Sequence, residues 1–313
     1  MATSGGTYAR IDGRILRLSN LDKVLFADAG LTKRDVIRYY RAIASVALPH
    51  LRDRPFTLKR YPSGIDGGTF YEKQCPFHRP SWVRTEDFEG VNYCLINDVA
   101  TLIWSVNLAA IELHTTLATR PNMQRPTMMV FDLDPGEGAG TQECAQVALW
   151  IRKLLDSVSL ESFVKTSGKK GLHVYVPLNT EVSYQQTQPF ARSVAEHLEW
   201  AHPDVVVSKM AKKLRTRKVF IDWSQNVDFK TTTTVYSLRA TPLATVSAPV
   251  SWEEVRTALK SAREAEGLAS LDMAAVLVRI EKSGDLFEPI LTLKQRLGAP
   301  FSLPRLNLKR AAS

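Results

Sequence analysis

The stretch MMVFDLDPGEG, residues 128–138, sets two aspartates two apart directly behind a run of apolar residues. Residues 126–131 read as a short buried strand, with Pro135 and Gly136 as its stop signal. Side chains at i and i+2 of a strand leave the same face, so Asp132 and Asp134 should project together at the strand's end. Two carboxylates side by side repel unless a proton or a cation sits between them. Hard oxygen ligands of this kind suit Mg²⁺ or Mn²⁺. An exposed strand end with a capping aspartate would use the same residues, so this stretch alone leaves both readings open.

Three features further along sharpen the choice. KVFIDWSQN, residues 218–226, is a second short apolar strand ending on an acid, Asp222. Three carboxylates can hold two divalent ions ~3.5–4 Å apart, the arrangement that stabilises both oxygens in phosphoryl transfer. In KTSGKKGLHV, residues 165–174, glycines flanking Lys169 and Lys170 let backbone N–H groups approach an anion, while Ser167 and His173 offer side-chain donors. The loop is not a Walker A sequence, because G-x-x-x-x-G-K-[ST] is absent. Six of the ten residues in KMAKKLRTRK, 209–218, are cationic. Such a run is usually a solvated face. This one directly precedes the strand carrying Asp222, and cations beside metal-binding acids fit a bridging triphosphate. Lys59, Arg60, Phe70 and Tyr71 add a stacking platform and a phosphate contact.

The composition agrees. Forty-one Lys and Arg against 32 Asp and Glu give the 313-residue chain a net charge of +9, the balance of a protein that meets a polyanion. No apolar run approaches the roughly 20 residues of a membrane span, and no secretory segment opens the chain. Cys75, Cys94 and Cys144 are too few for a disulfide framework, and a reducing cytoplasm fits them. Cys75-Pro-Phe-His78 is half of a zinc set with no second half, so a packed or partly exposed thiol beside a turn is expected at Cys75.

Along the chain, Thr32-Lys-Arg-Asp35 has the form of a capping box and opens a helix with Val36, Tyr39, Tyr40, Ile43 and Val46 on its apolar face. Residues 57–60, a glycine-rich turn at 64–68 and a return through Phe70 read as a hairpin. Helix and strand follow in 97–115, a helix in 142–158, and strand, loop and strand in 162–178. A helix over 184–201 is interrupted or kinked near Pro189, residues 236–239 form a strand, and Ser251 starts a helix running to 264. Residues 1–7 and 305–313 read as frayed ends. Strands sit among helices without strict alternation, which predicts an α+β fold of mixed and antiparallel sheets flanked by helices.

Five co-linear segments carry a resemblance: LSNLDKVLF, FDLDPGEG, SGKKGLHVYVP, VFIDWSQN and YSLRATPLATVSAPVSWEEV. In this order, from about residue 18 to 303, they resemble the polymerase domain of bacterial ATP-dependent DNA ligase D, a primase-polymerase of the archaeo-eukaryotic primase superfamily. The resemblance implies one primase-polymerase catalytic domain over 1–313, its part up to about 120 carrying 5′-phosphate and base-stacking elements. Asp132, Asp134 and Asp222 would bind two Mn²⁺ or Mg²⁺ ions. Ser167, Lys170, His173, Arg215 and Arg239 would contact a nucleoside triphosphate, with Lys59, His114 and Gln225 in the same pocket. Phe70 would stack on the base; the family commonly has a second phenylalanine where this chain has Tyr71. Lys23 and Lys33 would bind a downstream DNA 5′-phosphate. The implied activity is template-directed filling of short gaps in DNA repair and break end joining, favouring ribonucleotides, with Ku and a separate DNA ligase as partners. These 313 residues hold no ligase or phosphoesterase module, so the expectation is either a domain excised from a longer protein or a free-standing paralogue.

Two other classes share parts of this pattern. An aspartate-nucleophile phosphatase also begins D-x-D after a strand, but needs Thr or Val where this chain has Gly136. A non-catalytic DNA-end-bridging module would use the same basic surface, and the three acids argue against it.

Overall fold

The structure, a computed structural model, describes residues 6–302. The expected frayed ends therefore fall almost wholly outside the described residues; of them only Gly6 and Thr7 are covered, and Thr7 begins a strand, Thr7–Ile11.

Two six-stranded sheets organise the chain. In the first, the order is Val206–Val207, Val219–Asp222, Met128–Pro135, Leu172–Pro177, Phe163–Thr166 and Pro249–Val250. Neighbours are antiparallel except for the parallel pair Val206–Val207 and Val219–Asp222. The second sheet runs Thr232–Thr233, Ala110–Thr115, Pro55–Arg60, Val91–Leu95 and Thr85–Phe88, with Phe70–Glu72 on the free stretch of Pro55–Arg60. Mixed helices and antiparallel sheets match the α+β expectation.

Alternation along Met128–Pro135 decides where the acids go. Met129, Phe131 and Leu133 join the apolar cluster formed with the helices Thr141–Asp156 and Tyr184–Ala201. Val130 packs into the cluster of the other half, and Asp132 and Asp134 share its face. The apolar side thus anchors on two helices, and the acids face the second sheet.

Several local expectations needed correction. The acid-bearing strand does not stop at Phe131 but continues to Pro135, because pairing with Val219–Asp222 runs through both aspartates. Residues 236–239 are a turn with one isolated bridge, Leu238 to Val246; the strand in this region is Thr232–Thr233. The helix from Ser251 ends at Ala258 and a second, Ala262–Ala269, starts at its own serine cap, Ser261. Tyr184–Ala201 runs as one helix through Pro189. Cys75 is not a free thiol: it is disulfide-bonded to Cys94. The strands Phe70–Glu72 and Val91–Leu95 lie along one edge of Pro55–Arg60, and this brings the two Cα atoms to 5.0 Å. That proximity is a product of pairing, invisible in the spacing, and it removes Cys75 as a zinc ligand.

Candidate active site

The row of residues that crosses the first sheet is ionic. Lys165 pairs with His173, His173 with Asp132, and Asp132 with Asp222, each directly opposite the next on adjoining strands. Asp134 stands two residues beyond Asp132 on the same face. His173 Nε2 lies 3.1 Å from Asp132 Oδ1. Asp222 Oδ1 accepts from the Ser224 amide at 3.0 Å and hydroxyl at 2.5 Å, and Oδ2 accepts from Gln225 Nε2 at 2.8 Å.

These contacts set the charges. Burial works against ionised Asp132, but His173, with Lys165 and Arg239 behind it, holds the carboxyl below its ordinary value. Asp134 reaches the exposed floor of the site, where the loss of surrounding water, then Asp132, then Asp222, outweigh Arg215 and Arg239 and push it up to about 7.

A cleft of about 840 Å³ opens above this row, where the two sheets face each other. It brings together Asp132, Asp134, His114, Ser167, Lys170, His173, Gln225 and Arg239 of the expected set. Gly168 makes the loop possible: its φ is +70°, and a Cβ there would meet Arg239 Cγ at 2.4 Å. The loop amides differ from expectation. Those of Lys169 and Gly171 turn inward to Ser167 Oγ, at 3.2 and 3.1 Å. Anion contacts at these positions therefore fall to side chains, with Lys169 and Lys170 both on the wall.

Buried Glu112 ties the second sheet's cations to the cleft. Its carboxylate lies 3.3 Å from Lys59 Nζ, 3.2 Å from His114 Nε2 and 3.3 Å from Arg239 Nε. Burial opposes the charge, yet the His114 hydrogen bond and these cations outweigh it and keep Glu112 well below the carboxylate range. Burial also lowers the His114 pKa. Arg239 Nη1 is further fixed by Thr233 Oγ1 at 2.5 Å. Glu112 was not anticipated. Its signal was an acid two before His114 in an otherwise apolar strand, Ala110–Thr115.

Other expected residues lie elsewhere. Phe70 does not line the cleft; it is 45% exposed on the opposite face of its strand, with Arg60 5.2 Å from its ring centre. Tyr71, 59% exposed, is the one of this pair on the cleft wall, 5.7 Å from His114 and 5.3 Å from Lys59 Nζ, with Phe229 also lining the cleft. Arg215 stacks over Phe220 at 3.8 Å and donates to the Met210 carbonyl, outside the cleft lining. Gly136 lets that basic loop close in, since a Cβ there would lie 1.8 Å from the Arg215 carbonyl oxygen.

Lys23 and Lys33 sit apart from the cleft. Lys33 is buried, 5% exposed, and its Nζ donates to the Ser19 carbonyl at 2.8 Å. Burial, then Lys23 and Arg60, lower its pKa to about 8. The helix Lys33–Ala42 has the predicted capping box at Thr32 and Asp35. Its first amides are spent inside the protein, Lys33 on the Lys23 carbonyl and Arg34 on the Leu21 carbonyl. The helix start is not an open anion site.

Among the described residues no group of three or more His, Cys, Asp or Glu side chains is preassembled as a metal centre. Asp132 and Asp222 are turned toward His173, Ser224 and Gln225. The donor set nonetheless fits a hard divalent cation. It is all carboxylate oxygen, and desolvation together with the repulsion of Asp132 and Asp222 pushes Asp134 up to about 7, a charge deficit that a cation would relieve.

A paired-acid sheet row beneath a cation-walled cleft is the architecture of a phosphoryl-transfer site. The family model for the LigD primase-polymerase domain matches residues 32–287, and this chain belongs to that family of DNA nucleotidyltransferases. It is 40% identical over 283 residues to the multifunctional non-homologous end joining DNA repair protein LigD of Mycobacterium tuberculosis, covering 87% of this chain and 36% of that protein. The bifunctional non-homologous end joining protein LigD of Bacillus subtilis is 33% identical over 270 residues, 86% of this chain and 43% of its own. The chain thus spans well under half the length of these relatives. Among solved structures, the polymerase domain from Mycobacterium tuberculosis ligase D in complex with DNA matches with a TM-score of 0.81 and 40% identity, over 88% of this chain and 98% of that one. No helix among the described residues is long and apolar enough to cross a membrane.

Proposed function

We propose that residues 1–313 form one catalytic domain that adds nucleotides to a primer in short, 5′-phosphorylated DNA gaps during break end joining. The single observation that carries this is the placement of Asp132 and Asp134 in a cleft walled by cations, with Asp222 directly opposite Asp132 on the adjoining strand just outside the lining.

In this reading the three acids hold two divalent ions, Mn²⁺ or Mg²⁺. When bound, the ions lower the pKa of the primer 3′-hydroxyl and neutralise the leaving pyrophosphate. Lys169, Lys170, Ser167 and Arg239 receive the triphosphate through charge-assisted contacts. His114 and Lys59, ordered by Glu112, close the same wall. Gln225 holds Asp222 and lines the floor. Tyr71, rather than Phe70, is the base-stacking ring, because it alone of the two faces the cleft. Lys23 and Lys33, with Arg60 nearby, take the downstream 5′-phosphate.

The polar wall Thr231, Thr232 and Thr233 supports a preference for ribonucleotides, since hydroxyls there can bond a 2′-hydroxyl that a bulky gate would reject. Ku and a separate DNA ligase are the expected partners of an end-joining role. The deciding experiment extends a primer across a 5′-phosphorylated short gap and on an open template, with ribo- and deoxynucleotides in Mn²⁺. Incorporation on the gap, favoured by ribonucleotides, is expected. Binding to both substrates without any incorporation would instead identify an end-bridging module.

A further inference from the structure

Lys165 is the residue of the row across the first sheet that has no task in the reading above, and burial, then Arg239, lower its pKa well below that of an ordinary lysine. Its side chain is 0% exposed, on the strand Phe163–Thr166. Among the described residues it forms no ion pair with a carboxylate. Its Nζ lies 2.9 Å from His173 Nδ1 and 2.5 Å from Ser247 Oγ, with the Tyr175 ring centre at 5.6 Å.

The hydrogens can be assigned one by one. Ser247 Oγ donates to the Thr166 carbonyl at 2.8 Å, so it must accept from Lys165. The amine has further N–H bonds, and one meets His173 Nδ1. The ring hydrogen sits on Nε2, 3.1 Å from Asp132 Oδ1, which leaves Nδ1 as the acceptor for an N–H that the Lys165 amine keeps whether charged or neutral. The other tautomer would set the Nε2 lone pair against a carboxylate.

We propose that Lys165 is a positioning residue: by donating to Nδ1 it holds His173 as an Nε2–H donor, and His173 in turn presents the Asp132 carboxylate to the cleft in one orientation. Partners of this kind, one step behind a ligand, are typically worth about 10–100-fold in metal affinity or activity.

The test uses the full chain with ¹⁵N-histidine and two-bond ¹H–¹⁵N correlation spectra, without metal or substrate. The wild-type spectrum should show His173 protonated at Nε2, and Lys165→Met should shift it toward Nδ1–H. A wild-type ring protonated at Nδ1, or a ratio unchanged in Lys165→Met, would overturn the proposal. The kinetic arm rests on the proposed function. There Lys165→Met should lower kcat about 10–100-fold with little change in the nucleotide KM. In a His173→Gln background, whose amide N–H replaces Nε2–H, the same change should cost little more, whereas a purely structural loss would add in full. Should Lys165→Met not fold, the wild-type spectrum still decides. A wild-type chain that incorporates nothing would defeat the functional reading and leave the tautomer result standing.

Discussion

Asp132 and Asp222 are register partners, directly opposite one another on adjoining antiparallel strands. Each acid has its own relief, His173 for the first and Ser224 with Gln225 for the second. Asp134, beside both, carries the repulsion that is left. Two engaged acids and one strained acid make a site that a divalent cation would complete.

Replacing Asp132, Asp134 or Asp222 singly by alanine should therefore abolish nucleotide incorporation while leaving DNA affinity largely intact. Cation–phosphate contacts supply most of that affinity, and they lie on other residues. Primer extension and fluorescence-anisotropy titration measure the two quantities. Near-normal turnover in any one variant would remove that acid from the ligand set.

Asp134 predicts a pH-dependent metal affinity. Its folded-state value of about 7 lies above the ordinary 3.8, so the metal-free fold is favoured at low pH and loses stability as pH rises through 7. Mn²⁺ must displace the proton, so its affinity should climb with pH up to about 7 and level off above. Calorimetry in buffers of different ionisation enthalpy should show proton release below that point. In EDTA at mildly alkaline pH, Asp134→Asn should raise Tm, by roughly 2–4 °C for each kcal/mol of repulsion removed. A lower Tm would mean that the charge is not strained.

The two adjacent rings separate cleanly. Tyr71→Ala should raise the nucleotide KM about tenfold or more, since base stacking is worth ~1–3 kcal/mol. Phe70→Ala should leave that KM nearly unchanged, because its ring packs with Arg60 on the far side of the strand. Steady-state kinetics on one gapped substrate compare them, and the reverse order would restore Phe70 as the stacking ring.

For the 5′-phosphate, Lys23→Ala with Lys33→Met should weaken binding to a phosphorylated gap tenfold or more. Binding to the same gap without the phosphate should barely change, as charge-assisted contacts contribute about 1.5–3 kcal/mol each. The Lys33 amine is charged below about 8, so the phosphate-specific gain is complete at lower pH. It should fall away as pH rises past that value, with bound phosphate delaying the loss. Equal weakening on both gaps would reduce these lysines to diffuse attraction.

Much of this site was legible in the chain itself. The i, i+2 spacing put Asp132 and Asp134 on one face, and the apolar strand before Asp222 offered a third acid. The helix cap at Thr32 and the hairpin holding Phe70 and Tyr71 were local signals of the same kind. Patterns of this sort survive in sequence because neighbours along a strand or a helical turn are also neighbours in space. Tertiary pairing alone decided the rest. It set Asp222 against Asp132, aligned Lys165 and His173 into the same row, closed Cys75 on Cys94, and drew Glu112 under Lys59, His114 and Arg239. It also chose which of two consecutive rings faces the cleft. Such contacts join residues far apart in the chain, and their partners are fixed by strand register and by which face each sheet buries.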